Sequence, residues 1–153
     1  MRIVIGGLFK FYEGMIKLAE ELERELKVEC VLPKHFKGYK SSREIEEMKE
    51  MVRIGSIKLT EKDLRRIGEV ENWFFNQIEN SNCLVVYNKN GYVGINTSCD
   101  IGYALAHKKP VILLYKPKDM GIRGLEKAGL VKIVEVGKIK EYLKDLRVSM
   151  EER

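Results

Sequence analysis

Apolar residues fall into two kinds of run along the chain. Short runs without helical period predict buried strands: RIVIG from Arg2, VECVLP from Val28, CLVVY from Cys83, VILLY from Val111 and VKIVEV from Val131. Between them the apolar positions recur every three or four residues. Met15, Leu18, Ala19, Leu22 and Leu26 predict a helix over Tyr12–Lys27, and Leu64, Ile67, Phe74 and Ile78 predict a long one after Thr60. In that second stripe Glu71 is the odd member, with Val70 as an alternative inward residue. TSCDIGYALAHKK, from Thr97, reads as a helix with a Thr97–Asp100 capping box, and Thr60–Asp63 and Ser41–Glu44 are further capping patterns. KPKDMGI is expected to be loop, followed by a short helical piece RGLEKAG, and GKIKEYLKDL closes the chain as a helix.

Strand and helix alternate through five strands, and strands apolar on both faces belong in a parallel sheet. The predicted fold is therefore one doubly wound, flavodoxin-like α/β domain with strand order 2-1-3-4-5, spanning residues 1–148, with 149–153 as a frayed tail. In that order strands one and three are neighbours whose helices leave on opposite faces. Ligands bind at such a switch point, at the carboxyl ends of the strands. The Gly6–Tyr12 segment and the Asn88–Asp100 segment are thus expected to meet at the site.

At 153 residues one core is expected, and no apolar run reaches the length of a membrane span. The opening MRIVIGG is not built like a signal peptide. Cys30, Cys83 and Cys99 are scattered and odd in number, which fits a reducing cytoplasmic setting and argues against metal binding through them. The net charge of +5 is spread among Glu and Asp on helix faces, so no nucleic-acid or membrane footprint is expected. Trp73, Phe74 and Phe75 span about 200° of one helix, so at least one of them faces a subunit interface or the ligand cleft. A homo-oligomer with that triplet near its interface is the expected assembly.

The candidate chemistry lies in the two loops. Asp100 reads as a helix-capping carboxylate and also as a nucleophile for glycosyl transfer. Gly6 and Gly7 read as turn chemistry or as close backbone approach to a ligand, with Lys10 at hand for a phosphate. Asn88, Asn90, Gly91, Gly94 and Asn96 read as turn residues whose amides can also meet a base or ribose edge. Thr97 reads as an N-cap, and Thr97 and Ser98 can hold a hydroxyl or phosphate. Tyr12 is packing or a proton donor. Neither His35 nor His107 has a visible partner in a Ser/His/Asp set, and no phosphate-binding glycine loop, metal-ligand spacing or cofactor motif is present.

At NGYVGINTSCDIGYALAHKKPVILL, from Asn90, the chain resembles the nucleoside 2-deoxyribosyltransferase-like family, and above all its small members with the pattern GYIGxNTxxEIGYAxAxGKP. GGLFKFYEGMIKLAEELERELKVECVLP and SNCLVVYN extend the resemblance into the first half of the chain. The resemblance implies cleavage or exchange of the N-glycosidic bond of a 2′-deoxynucleoside or its 5′-monophosphate, without a cofactor. It places Asp100 where the family has its nucleophilic Glu, a carboxylate about 1.5 Å shorter in reach. The chain departs from the well-studied transferases at Gly94 and at Asn90-Gly91, where they carry base-handling carboxylates. It departs again after the first strand, where Leu8 and Phe9 precede Tyr12. A non-catalytic nucleotide-binding module with the same pocket, or a subunit of a larger assembly, is the alternative.

Overall fold

The computed structural model describes residues 1–153. Its strands are β1 (Arg2–Gly7), β2 (Glu29–Val31), β3 (Cys83–Tyr87), β4 (Val111–Leu113) and β5 (Lys132–Ile133), all parallel in the order β2-β1-β3-β4-β5. Its helices are α1 (Tyr12–Leu26), α2 (Ser42–Arg53), α3 (Glu61–Glu79), α4 (Ile95–Ala106), α5 (Met120–Lys127) and α6 (Ile139–Glu151). A short 3-10 turn, Phe9–Phe11, joins β1 to α1. The doubly wound architecture and strand order are those the apolar runs predict.

Alternation of side chains along each strand separates two cores. Ile3, Ile5, Val85 and Ile112 point to one face, under α1 and α6 through Met15, Leu22 and Ile139. Val4, Leu84, Val86 and Leu113 point to the other, under α3 and α4 through Phe74, Ile78 and Ile101. The central strand β1 is paired on both sides, Ile3 to Cys30 of β2 and to Cys83 of β3. No helix is long and apolar enough to cross a membrane.

Several local expectations are corrected. The helix at Thr97 starts earlier: Gly94 is the N-cap, Ser98 N–H bonds back to the Gly94 carbonyl, and Thr97 lies inside α4, so Asp100 belongs to its second turn and no Thr97–Asp100 capping box forms. Gly94 permits this because its neighbour is Leu8. A Cβ at position 94 would stand 2.6 Å from Leu8 Cδ2, so a larger residue here would require the Leu8 side chain to shift. α5 also starts early, because Asp119 accepts from Gly121 N–H and Ile122 N–H and caps it inside the predicted loop. The fifth strand keeps only two residues, which sit at the sheet edge where β4 alone offers a partner. α6 runs to Glu151, so residues 149–151 of the expected frayed tail are helical, with Met150 half-buried one turn after Leu146.

Leu22 is fully buried between α1 and the sheet. Leu22→Ala is expected to destabilise the fold by about 2–5 kcal/mol, read as a lower urea midpoint with an unchanged slope.

Candidate functional site

A cavity of about 490 Å³ opens at the carboxyl ends of β1 and β3. Gly7, Leu8 and Phe9 form its wall after β1, and the start of α4 contributes Gly94, Asn96 and Thr97. α3 contributes Ile67, Val70, Glu71 and Phe74, and α2 covers it with Met48, Lys49 and Val52. Pro33 to Phe36, after β2, close the remaining side. The walls are mostly apolar, and the charged groups are few.

Two of those groups are carboxyls on adjacent helices. Asp100 is 5% exposed, and its Oδ1 is buried with no hydrogen-bond partner. Oε1 of the half-buried Glu71 is likewise without a partner. Neither takes part in any ion pair of the fold. Burial first, and then the hydrogen bond and negative charge of Glu71, push the Asp100 carboxyl up to about 10. The pair therefore holds a proton at neutral pH. An apolar cleft containing a protonated Asp100 beside a second carboxyl is an arrangement suited to proton transfer and to stabilising a developing positive charge.

His35 is the third polar group. It is 7% exposed and reaches the cavity from the segment after β2. Its Nδ1 accepts a hydrogen bond from the Lys37 backbone N–H at 3.1 Å, which leaves the ring proton on Nε2. Tyr39 stacks on it at 5.2 Å and Phe9 meets it edge-on at 5.4 Å. Burial, then Lys49 and Lys37, lower its pKa, so it is a neutral donor.

The sequence candidates divide by position. Gly7, Gly94, Asn96, Thr97 and Asp100 line the cavity. Tyr12 does not: its hydroxyl donates to the Pro33 carbonyl at 3.1 Å and its N–H to Ser42 Oγ at 3.1 Å. Asn88 is 1% exposed, with Nδ2 donating to the Tyr115 carbonyl and Oδ1 accepting from Tyr115 N–H, so its amide clamps the ends of β3 and β4. Ser98 Oγ donates to the Gly94 carbonyl. Gly6 faces Leu84 and Phe74, Lys10 is exposed beside the Phe11 ring, and Asn90 and Gly91 form a left-handed turn against Lys116. Of the aromatic triplet, Phe74 lines the cavity, Trp73 lies under Lys34 Nζ at 4.1 Å, and Phe75 stacks on Tyr103 at 4.6 Å.

Glu71 and His35 are the site residues that the motif does not contain. The signal for Glu71 is a single charge in the apolar stripe from Leu64 to Ile78. The signal for His35 is a lone histidine among aromatics directly after a strand end.

No family model matches the chain, and none of the curated proteins does. Solved structures with this architecture include the CMP N-glycosidase BcmB of Clostridium botulinum, at 20% identity over 97% of this chain and 99% of that one, with a TM-score of 0.50. They also include a 2-deoxyribosyltransferase of Bacillus psychrosaccharolyticus, at 14% identity over 86% of this chain and 96% of that one, with a TM-score of 0.49. The first of these is a likeness of fold, and it agrees with the doubly wound α/β sheet described above.

The raised Asp100 carboxyl makes stability depend on pH with a definite sign. Its proton is lost near pH 4 in the unfolded chain and retained far higher in the folded one. The contribution is thus complete below about pH 4 and is lost as pH rises toward the folded value. Asp100→Asn carries no such proton. Its melting temperature relative to wild type is expected to climb steadily between about pH 5 and pH 9, by up to about 1.4 kcal/mol of stability per pH unit, measured by calorimetry.

Proposed function

We propose that the cavity binds a nucleoside or nucleotide and that the Asp100–Glu71 pair acts on its N-glycosidic bond. The observation that carries this reading is the pair itself: two carboxyls, each with a buried oxygen that has no partner, in an apolar cleft at the switch point, with burial holding a proton on Asp100. Cleaving a C1′–N bond calls for both. A carboxylate must offset the positive charge growing on the sugar, and the departing base must receive a proton.

The step balances with the pair alone. The shared proton passes to the base nitrogen as the C1′–N bond breaks, and the freed Asp100 carboxylate forms a bond to C1′. Water or a second base then displaces Asp100, its proton returns to the carboxyl pair, and the sugar leaves as hydrolysis or transfer product. In this reading Glu71 stands beside Asp100 as the second carboxyl, Gly7 and Gly94 allow the sugar to approach the backbone closely, and Asn96 and Thr97 meet its polar edge. The neutral His35 offers a further hydrogen bond from Nε2. The resemblance of the Asn90–Leu114 segment to the deoxyribosyltransferase-like family supports the same reading, as does the fold shared with the CMP N-glycosidase.

One observation favours a second reading. A carboxyl held protonated in the resting site is not itself a nucleophile. A module that binds a ribose hydroxyl through Asp100 without turnover uses that state directly.

The deciding experiment follows release of free base from each 2′-deoxynucleoside and 5′-monophosphate, with and without an acceptor base. Asp100→Ala is expected to abolish release, and Glu71→Gln to lower turnover by about 10²- to 10⁴-fold and shift its pH profile. Asp100→Glu is expected to raise turnover, because a misplacement of about 1 Å costs on the order of a hundredfold. Ligand-induced stabilisation without base release from any substrate would replace the enzyme with the binding module.

A further inference from the structure

The covering helix α2 is built differently from the other walls of the cavity. Only Ile45 and Met48 are buried along its twelve residues, SREIEEMKEMVR. Its principal packing partner is the Phe9–Phe11 turn, not the sheet. A helix of this length has little stability of its own in water, so its position is set by what holds its ends.

Each flank contains a glycine in the left-handed region, Gly38 at φ 77° and Gly55 at φ 80°. A Cβ at either position would meet nothing within 4 Å. Crowding therefore does not demand glycine at these points; the backbone turn does. Gly55 ends α2 as a left-handed cap, with Gly55 N–H on the Val52 carbonyl and Ser56 N–H on the Met51 carbonyl, and Gly38 N–H bonds to the His35 carbonyl. Besides the buried Ile45 and Met48, the side-chain contacts that pin the segment are polar. Ser42 N–H donates to Glu13 Oε1 at 2.9 Å, Ser42 Oγ–H donates to Glu13 Oε2, and Ser42 Oγ accepts from Tyr12 N–H. Lys37 Nζ donates to Asp63 Oδ1 at 2.9 Å and straps the first joint to the start of α3. On the inner side, Met48, Lys49 and Val52 face the cavity.

We propose that α2 is a lid: it swings about Gly38 and Gly55, is latched shut by Glu13–Ser42 and Lys37–Asp63, and its opening widens the path by which a ligand reaches or leaves the Asp100–Glu71 pair. The lid rests on the reading of the cavity as a ligand site, but not on the reaction carried out there. Local opening of a weakly packed unit on a stable sheet is a general mode of motion in native proteins.

Amide hydrogen exchange across low, non-denaturing urea concentrations tests it without any ligand. The amides of α2 are expected to exchange through an opening that is insensitive to urea, while those of α4 and β3 exchange only with global unfolding. Glu13→Ala is expected to speed α2 exchange about tenfold and to leave α4 and β3 unchanged, as for loss of a hydrogen bond to a charged group. Lys37→Ala is the independent second variant and should act in the same direction. Exchange of α2 in step with β3, or equal acceleration of every helix in both variants, would overturn the lid. Gating is read from dissociation of 2′-deoxycytidine 5′-monophosphate, followed by the fluorescence of the sole tryptophan, Trp73. Dissociation about tenfold faster in Glu13→Ala supports gating, and an unchanged rate overturns it. Because exchange is measured without nucleotide, it decides for or against the lid even where this nucleotide fails to bind, a failure that counts against the proposed function alone.

Discussion

β1 and β3 run side by side with their helices leaving on opposite faces, and the site depends on this one pairing. Ile3 to Gly7 lie opposite Cys83 to Tyr87, so the backbone groups of the central strands are satisfied inside an apolar double core. The chain after β1 then turns to one face and the chain after β3 to the other. The gap between them is a cleft that neither loop can fill, and its floor is the start of α4. Slipping this register by one residue would exchange the two cores, so the position of the cleft is as firmly specified as the packing itself.

The carboxyl pair is a cost that this frame is able to carry. Asp100 is removed from water without a cation nearby and faces a second carboxyl from α3. Such a group is tolerated because it stays protonated, which lessens the desolvation penalty. Around it, α3 and α4 are anchored by Phe74, Ile78 and Ile101, whose burial holds the two helices at a fixed separation. One side of the cleft is thus built on helices anchored in the core, and the other is covered by α2, with only Ile45 and Met48 buried.

Much of this was legible along the chain. Five apolar runs alternating with helical stripes are enough for the sheet and its order, because parallel strands buried on both faces leave few ways to connect them. That Asp100 lies at the cavity was legible because it follows the third strand and a glycine-punctuated loop. Glu71 was visible only as an irregularity, since a charge in an apolar stripe marks a conflict but not its partner. Thr97 misled for a local reason: Thr-x-x-Asp is a good capping pattern, yet the helix is capped three residues earlier, at Gly94 beside Leu8. Asn88 and Tyr12 have side chains suited to a ligand, and tertiary partners at Tyr115, Pro33 and Ser42 use them instead.

By itself the sequence determined the class of fold, the end of the sheet at which the cavity lies and one of the two carboxyls there, because period and turn chemistry are local properties. Tertiary structure alone decided that Glu71 meets Asp100, that His35 is buried at the cavity with its Nδ1 occupied, and that α2 is the cover. These depend on the distance and orientation of side chains far apart in the chain, and a carboxyl acquires its proton affinity from that surrounding.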